Sequence, residues 1–290
     1  MKKLYTFLTA CVVGFSFSSC NDFLDYTPTA VIDEETAFTK PEEMVTAAYA
    51  MLGDCWYTYP FNLFPYGDVT SDNCLKGGSG TTDTNYHSLE IWSSLTATTP
   101  DHMDELWYRL YCAISRCNRA LVALEQHGVE ELGADVAQQR VAEVKFLRAH
   151  FYYKLVTVFR QVPWIDEEVY VNNTIEQVRN DEYTYEQLMM NIIADFKSAY
   201  DVLPEKQTDG GRVNKIAAAS YLAKCYLDLA WGTGYESGTG VEHINNDYMQ
   251  QIADYTEVVK SSQYGYLEDF GDIFLPENKN SKESIFAVQT

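Results

Sequence analysis

The chain has 290 residues with 42 acidic against 21 basic side chains, a formal charge of -21. A surface that acidic repels nucleic acid and anionic lipid heads, so a basic-face attachment to either is excluded. Apolar residues make up 46%, enough for a sizeable core, and the aromatic content is high, with 22 tyrosines and 5 tryptophans.

Met1-Lys2-Lys3 is a short cationic start, Leu4 to Phe17 is almost wholly apolar, and Ser18-Ser19-Cys20 ends it with small residues. That is the layout of a secretory signal over residues 1–19, and the apolar run is shorter than the roughly 18 residues that cross a bilayer as a helix. Cys20, followed by Asn21-Asp22-Phe23-Leu24-Asp25, resembles a bacterial lipobox, so Cys20 is the expected lipidation site. The alternative is a soluble exported protein in which Cys20 is incidental. Loss of Lys2 and Lys3 with the leader takes the charge to -23, which leaves lipid as the membrane link. Five further cysteines remain, an odd number with no C-x-x-C pair. Cys112, Cys117 and Cys225 fall in helical apolar patterns and read as buried hydrophobes, whereas Cys55 and Cys74 lie near loops and are free to bridge.

Residues 20–38 read as a lipidated tether, and the body follows over 39–290. Thr39-Lys40-Pro41-Glu42-Glu43 opens a helix, with proline in the first turn and acids at the positive dipole end, running to about Gly53. Between Phe61 and Pro100 helical periodicity disappears, and an irregular stretch of that length in a compact domain is often functional. Trp107, Leu110, Tyr111, Ile114, Cys117, Leu121 and Leu124 then recur on one helical stripe, with Gly128 as the expected stop and Trp107 as core. The next helix carries Val141, Val144, Leu147, Phe151, Leu155 and Val158 and ends before Pro163. Phe146, Leu147 and Phe151 are expected inward, Lys145 and Lys154 outward, and Arg148 is either a surface cation or one half of a buried ion pair with a helix-end carboxylate. Further helices run from about Tyr183 to Leu203, from Ile216 to about Trp231 behind an Asn214 cap, and from Tyr248 to Ser261. The rhythm is that of divergent tetratricopeptide-like helical pairs with long irregular loops, a mostly α fold.

Glu143 to Trp164, containing Phe146-Leu147-Arg148-Ala149 and Gln161-Val162-Pro163-Trp164, resembles the signature helix of the RagB/SusD family of nutrient-binding outer-membrane lipoproteins. Leu106-Trp107-Tyr108-Arg109-Leu110-Tyr111 leading to Asn118-Arg119, Gly211-Arg212-Val213-Asn214 before an alanine-rich helix, and Ser281 to Gln289 agree with that family in order. The resemblance implies a SusD-like amino-terminal helical domain, with Ser281–Gln289 as a short strand, truncated before the second half of such proteins. It also implies oligosaccharide capture at the outer surface of the outer membrane, for uptake through a TonB-dependent barrel transporter. The alternative is a peptide- or protein-binding helical-repeat lipoprotein without glycan specificity.

Catalysis and cofactors are not expected. The five histidines form no H-E-x-x-H helix, and acid pairs such as Glu34-Glu35, Asp166-Glu167-Glu168 and Asp181-Glu182 flank predicted helices, where they compensate dipoles. The candidate ligand site is the irregular stretch 66–102. A neutral sugar needs an aromatic platform and planar amide or carboxylate partners, which Trp92 and Tyr86 with Asn73, Asp72 and Asn85 supply. Two plainer readings stand beside this one: Trp92 plugs its loop together with Ile91 and Leu95, and Asp72-Asn73 is a turn that bonds its own backbone.

Overall fold

The computed structural model describes residues 34–53, 65–71, 73–78, 84–93, 101–233 and 241–289. Cys20 and the signal, Cys55, Asp72 and Leu95 lie outside them. The chain divides into two units at Ala37/Phe38. In the second unit α1 (Pro41–Tyr49) passes into a 3-10 turn, Ala50–Gly53, and α2 is Thr84–Glu90. Then come the long helices α3 (Asp101–Leu132) and α4 (Ala134–Phe159), the short α5 (Glu167–Val171), α6 (Tyr185–Val202), α7 (Lys215–Ala230) and α8 (Asn246–Lys260). A small antiparallel hairpin, β1 (Trp231–Thr233) with β2 (Val241–Ile244), joins the last two.

Several helix starts follow from local chemistry. The Thr184 hydroxyl accepts from Gln187 N while the Gln187 side chain accepts from Thr184 N, a reciprocal capping box. Asn214 caps α7 through Ala217 N at 2.9 Å, and Asn245 caps α8. At α1 the cap is Lys40, whose side chain accepts nothing, and Pro41 at the first turn carries the start.

Gly128 does not stop α3. A Cβ there would lie 3.3 Å from the Ala137 Cβ, so this glycine lets the start of α4 approach, and the chain turns instead at Gly133, with φ +80°. One residue of connection makes α3 and α4 a helical hairpin, α4 packs on α6, α6 on α7, and α7 on α8, while α1 lies on α3. The fold is mostly α, as the periodicity predicts.

Because α4 has neighbours on several sides, its buried surface extends well beyond one stripe. Phe146, Leu147 and Phe151 are buried, with Phe146 edge-on to Phe196 and Tyr221. Lys154 is also buried, contrary to its expected outward position, and burial holds its ammonium down to about 8. Cys117 and Cys225 are buried free thiols, and Cys112 is a half-buried one. Ser281–Gln289 forms no strand. Its Ile285 carbonyl accepts from the Asn214 side chain at 2.6 Å, and Asn280 and Gln289 pair amide to amide, so side chains take the place of a neighbouring strand.

Two polar networks bolt the helices together. Arg148, 4% exposed, donates to Asp195 from Nε at 2.7 Å and from Nη2 at 3.0 Å, to Asn118 Oδ1 at 3.0 Å, and to Glu167 at the start of α5. Burial alone would weaken the guanidinium, but the Asp195 and Glu167 carboxylates outweigh it and hold Arg148 firmly protonated. The helix-end carboxylate of the ion-pair reading is Glu167. In the second network the fully buried Glu143 receives Arg140 at 2.8 Å, Arg212 at 2.8 Å and the Tyr49 hydroxyl at 3.0 Å, and both arginines also reach Glu42. This ties α1 to α4 and to the turn before α7.

Candidate functional site

The irregular stretch is more regular than its composition suggests. Residues Pro65–Val69 make a π-type turn, and α2 packs against it. Val69 in the turn and Leu89 on α2 are buried. A helix of seven residues burying one leucine leaves almost no period to read, which is why sequence reasoning places a loop there.

Trp92 terminates α2 in an unusual way. The Ser93 N–H donates to Ser88 O at 3.0 Å and the Trp92 N–H to Leu89 O at 3.3 Å, the two bonds of a Schellman motif, which puts Trp92 at the left-handed position with φ 53°. Glycine usually sits there, because a Cβ in that conformation costs on the order of 1 kcal/mol. Trp92 is 68% exposed, and its Nε1–H donates to the Thr70 carbonyl at 3.1 Å. Trp92 therefore does not plug the loop, and neighbouring Ile91 is exposed too. One ring edge is bonded and most of the residue is open to solvent.

Thr70 Oγ1 donates to Tyr66 O at 2.9 Å, so Tyr66, Thr70 and Trp92 form a bonded chain. Tyr86 is half-buried and close enough to Tyr66 to help burial push the Tyr66 hydroxyl up. That hydroxyl is buried with no hydrogen-bond partner among the described residues. Asn73 is exposed, and its N–H donates to Ser71 Oγ at 3.3 Å, a hydroxyl turn rather than a bond from its own side chain. Asn85 lies on α2, its side chain outside the described residues. His87 pairs with Glu90 at 3.2 Å. Burial, with the Asp68 and Glu90 carboxylates nearby, pushes the Cys74 thiol up, and that thiol is free.

A second concavity, missed at the sequence level, opens beside α3. It measures about 340 Å³ and is walled by Trp107, Tyr111, Ile114, Tyr170, Ile175 and Val178. Trp107 is thus partly buried rather than core: it packs on Tyr111 at 4.9 Å and edge-on to Phe159 at 5.0 Å. The Tyr111 hydroxyl donates to Pro163 O at 2.8 Å and Asn118 Nδ2 to Ile165 O at 2.8 Å, pinning the irregular segment between α4 and α5 against α3. Among the described residues no group of three His, Cys, Asp or Glu could hold a metal, and no helix is long and apolar enough to cross a membrane.

A family profile described as "Starch-binding associating with outer membrane" matches residues 22–227. The chain belongs to the SusD-like (RagB/SusD) family. A SusD-like protein of Bacteroides ovatus is 24% identical over 97% of this chain and 49% of its own length. The starch-binding protein SusD of Bacteroides thetaiotaomicron is 24% identical over 98% of the chain and 50% of its own. Among solved structures, a laminarin binding SusD-like protein superposes with a TM-score of 0.67 at 21% identity, covering 86% of this chain and 50% of that one. The chain spans about half the length of the curated relatives it matches. The SusD-like profile covers α1 to most of α7, so it includes the Trp92 turn, the Trp107 cleft and both arginine networks.

Proposed function

We propose that this SusD-like chain binds oligosaccharide at the outer face of the outer membrane for uptake through a TonB-dependent barrel transporter, and that it is held there by lipid on Cys20. The observation that carries the ligand reading is Trp92, bonded at its Nε1–H and 68% exposed, at a backbone position that disfavours any side chain. A pyranose offers an apolar C–H face to such a platform, and rotation restricted by the Thr70 bond lowers the ordering cost of binding. Asn73, Asp72, Asn85 and Tyr86 are the proposed polar partners, by their side-chain chemistry and their nearness to Trp92 in sequence. Family membership and the starch- and laminarin-binding names of relatives support the same ligand class.

An array of neutral oligosaccharides and peptides probed with the chain from residue 21 tests this directly. Oligosaccharide binding that is weakened by Trp92→Ala is expected; binding to peptides alone would reverse the assignment. The anchor is tested separately, by lipid mass on Cys20 in native membranes and its loss, with release to the soluble fraction, in Cys20→Ala. A peptide ligand is the second reading, and the apolar cleft beside Trp107 is what favours it, since apolar walls suit side chains better than hydroxyls. Under that reading Trp107→Ala, not Trp92→Ala, removes binding.

A further inference from the structure

At the start of α7 a second cleft of about 140 Å³ opens between the turn 206–214 and the strand-free segment around 263–264 and 280–285. Its walls are fixed. Asn214 Nδ2 donates to Ile285 O at 2.6 Å and to the Tyr264 hydroxyl at 3.1 Å, and the Gly265 N–H donates to Lys282 O at 3.0 Å. Part of the lining is chemically uncommitted. The side chains of Lys206, Lys282, Gln263, Ser281 and Ser284 make no hydrogen bond or ion pair with any described residue.

The charge at this cleft opposes that of the rest of the protein. Arg212 is already engaged by Glu42 and Glu143. The one lining carboxylate, Asp209, accepts from Gly211 N at 2.8 Å and lies 4.0 Å from Arg212 Nε. Lys206 and Lys282 are left as uncompensated ammonium groups beside the positive end of α7, in a chain of net charge -21. A lining with three cations and one carboxylate attracts an anion that the net charge of the chain repels.

The remaining lining distinguishes a sugar acid from a bare anion. An inorganic anion uses donors only, whereas serine hydroxyls and the Gln263 amide also accept, as a ligand carrying hydroxyls requires. The volume is well below the roughly 300 to 1,000 Å³ of pockets that enclose larger ligands, so it suits one ring and not a chain. We infer that this cleft is a second binding site, for a single carboxylate-bearing pyranose unit, with Lys206 and Lys282 holding the carboxylate. It is separate from the Trp92 turn and stands or falls without it.

Titration of the chain from residue 21 with D-glucuronate, D-glucose and inorganic sulfate, followed by ligand-observed NMR, is the test. Glucuronate is expected to bind at least about tenfold tighter than glucose, as hydrogen bonds to charged groups allow. The Lys206→Gln/Lys282→Gln double variant should erase that preference, and because both lysines are exposed its unfolding midpoint should be unchanged. Trp92→Ala should leave glucuronate binding intact, which separates failure here from failure of the oligosaccharide reading. Equal binding of glucose and glucuronate, full glucuronate binding by the double variant, or sulfate binding as tightly as glucuronate would each overturn the assignment.

Discussion

The middle of α4 and the turn at Trp92 both carry aromatic and polar side chains, and they use them in opposite ways. Around Arg148 the hydrogen-bonding capacity is turned inward: Asp195, Asn118 and Glu167 take its donors, and the Trp164 ring lies 5.8 Å from its guanidinium. Around Trp92 one bond fixes the indole, the residue stands mostly in solvent, and the neighbouring candidate Asn73 is exposed. Burial makes unmet polar groups costly, so a core tolerates few of them, whereas a surface that must receive a ligand keeps them available. Changes in the first region should therefore be read in stability, and changes in the second in affinity.

The largest stability effect is expected at Arg148. Arg148→Ala leaves Asp195 buried without its counter-charge, and chemical denaturation should report a loss of about 3 to 5 kcal/mol. Trp107→Ala sits between the two regions. A partly buried ring loses less than the roughly 3 to 5 kcal/mol of a fully buried one, so about 2 kcal/mol is expected from the same measurement. A loss as large as that of Arg148→Ala would show that the cleft beside Trp107 closes in solution.

Acid should reveal the inward networks selectively. Burial raises the carboxyls of Glu42 and Glu167, but Arg140 and Arg212 at the first, and Arg148 at the second, more than reverse this and hold both below the usual glutamate range. A carboxylate with a depressed folded pKa contributes stability that is present above its unfolded pKa and lost as pH falls through the folded one. The unfolding midpoint should thus drop on acidification below about 4.5, and Glu167→Gln should flatten that drop. An unaltered acid profile in Glu167→Gln would remove Glu167 from the network.

Legibility in the sequence follows the same division. Helices of four or more turns announce themselves because each packs an apolar stripe against its neighbours, and the Asn214 cap and the first-turn Pro41 mark where α7 and α1 begin. Gly128 misleads because a local rule, glycine as a stop, gives way to packing against Ala137. Lys154 misleads for a related reason: a charged residue reads as outward only when its helix has a solvent face at that point. Ion-pair partners such as Arg148 and Asp195 lie 47 residues apart, beyond any local pattern. At the candidate site the residue types were legible and the geometry was not. A tryptophan in a left-handed helix-end position leaves no trace in sequence, since the pattern there calls for glycine.

The smallest stability effect is expected at Trp92, and it carries the central claim. Trp92→Ala removes an exposed ring, so its unfolding free energy should stay within about 0.5 kcal/mol of the parent. Its affinity for a neutral oligosaccharide that the parent binds should fall at least about tenfold, roughly 1.4 kcal/mol. The two quantities measured side by side on one preparation decide the matter: affinity lost with stability kept is what an open platform predicts, and affinity kept, or stability and affinity lost together, would contradict it.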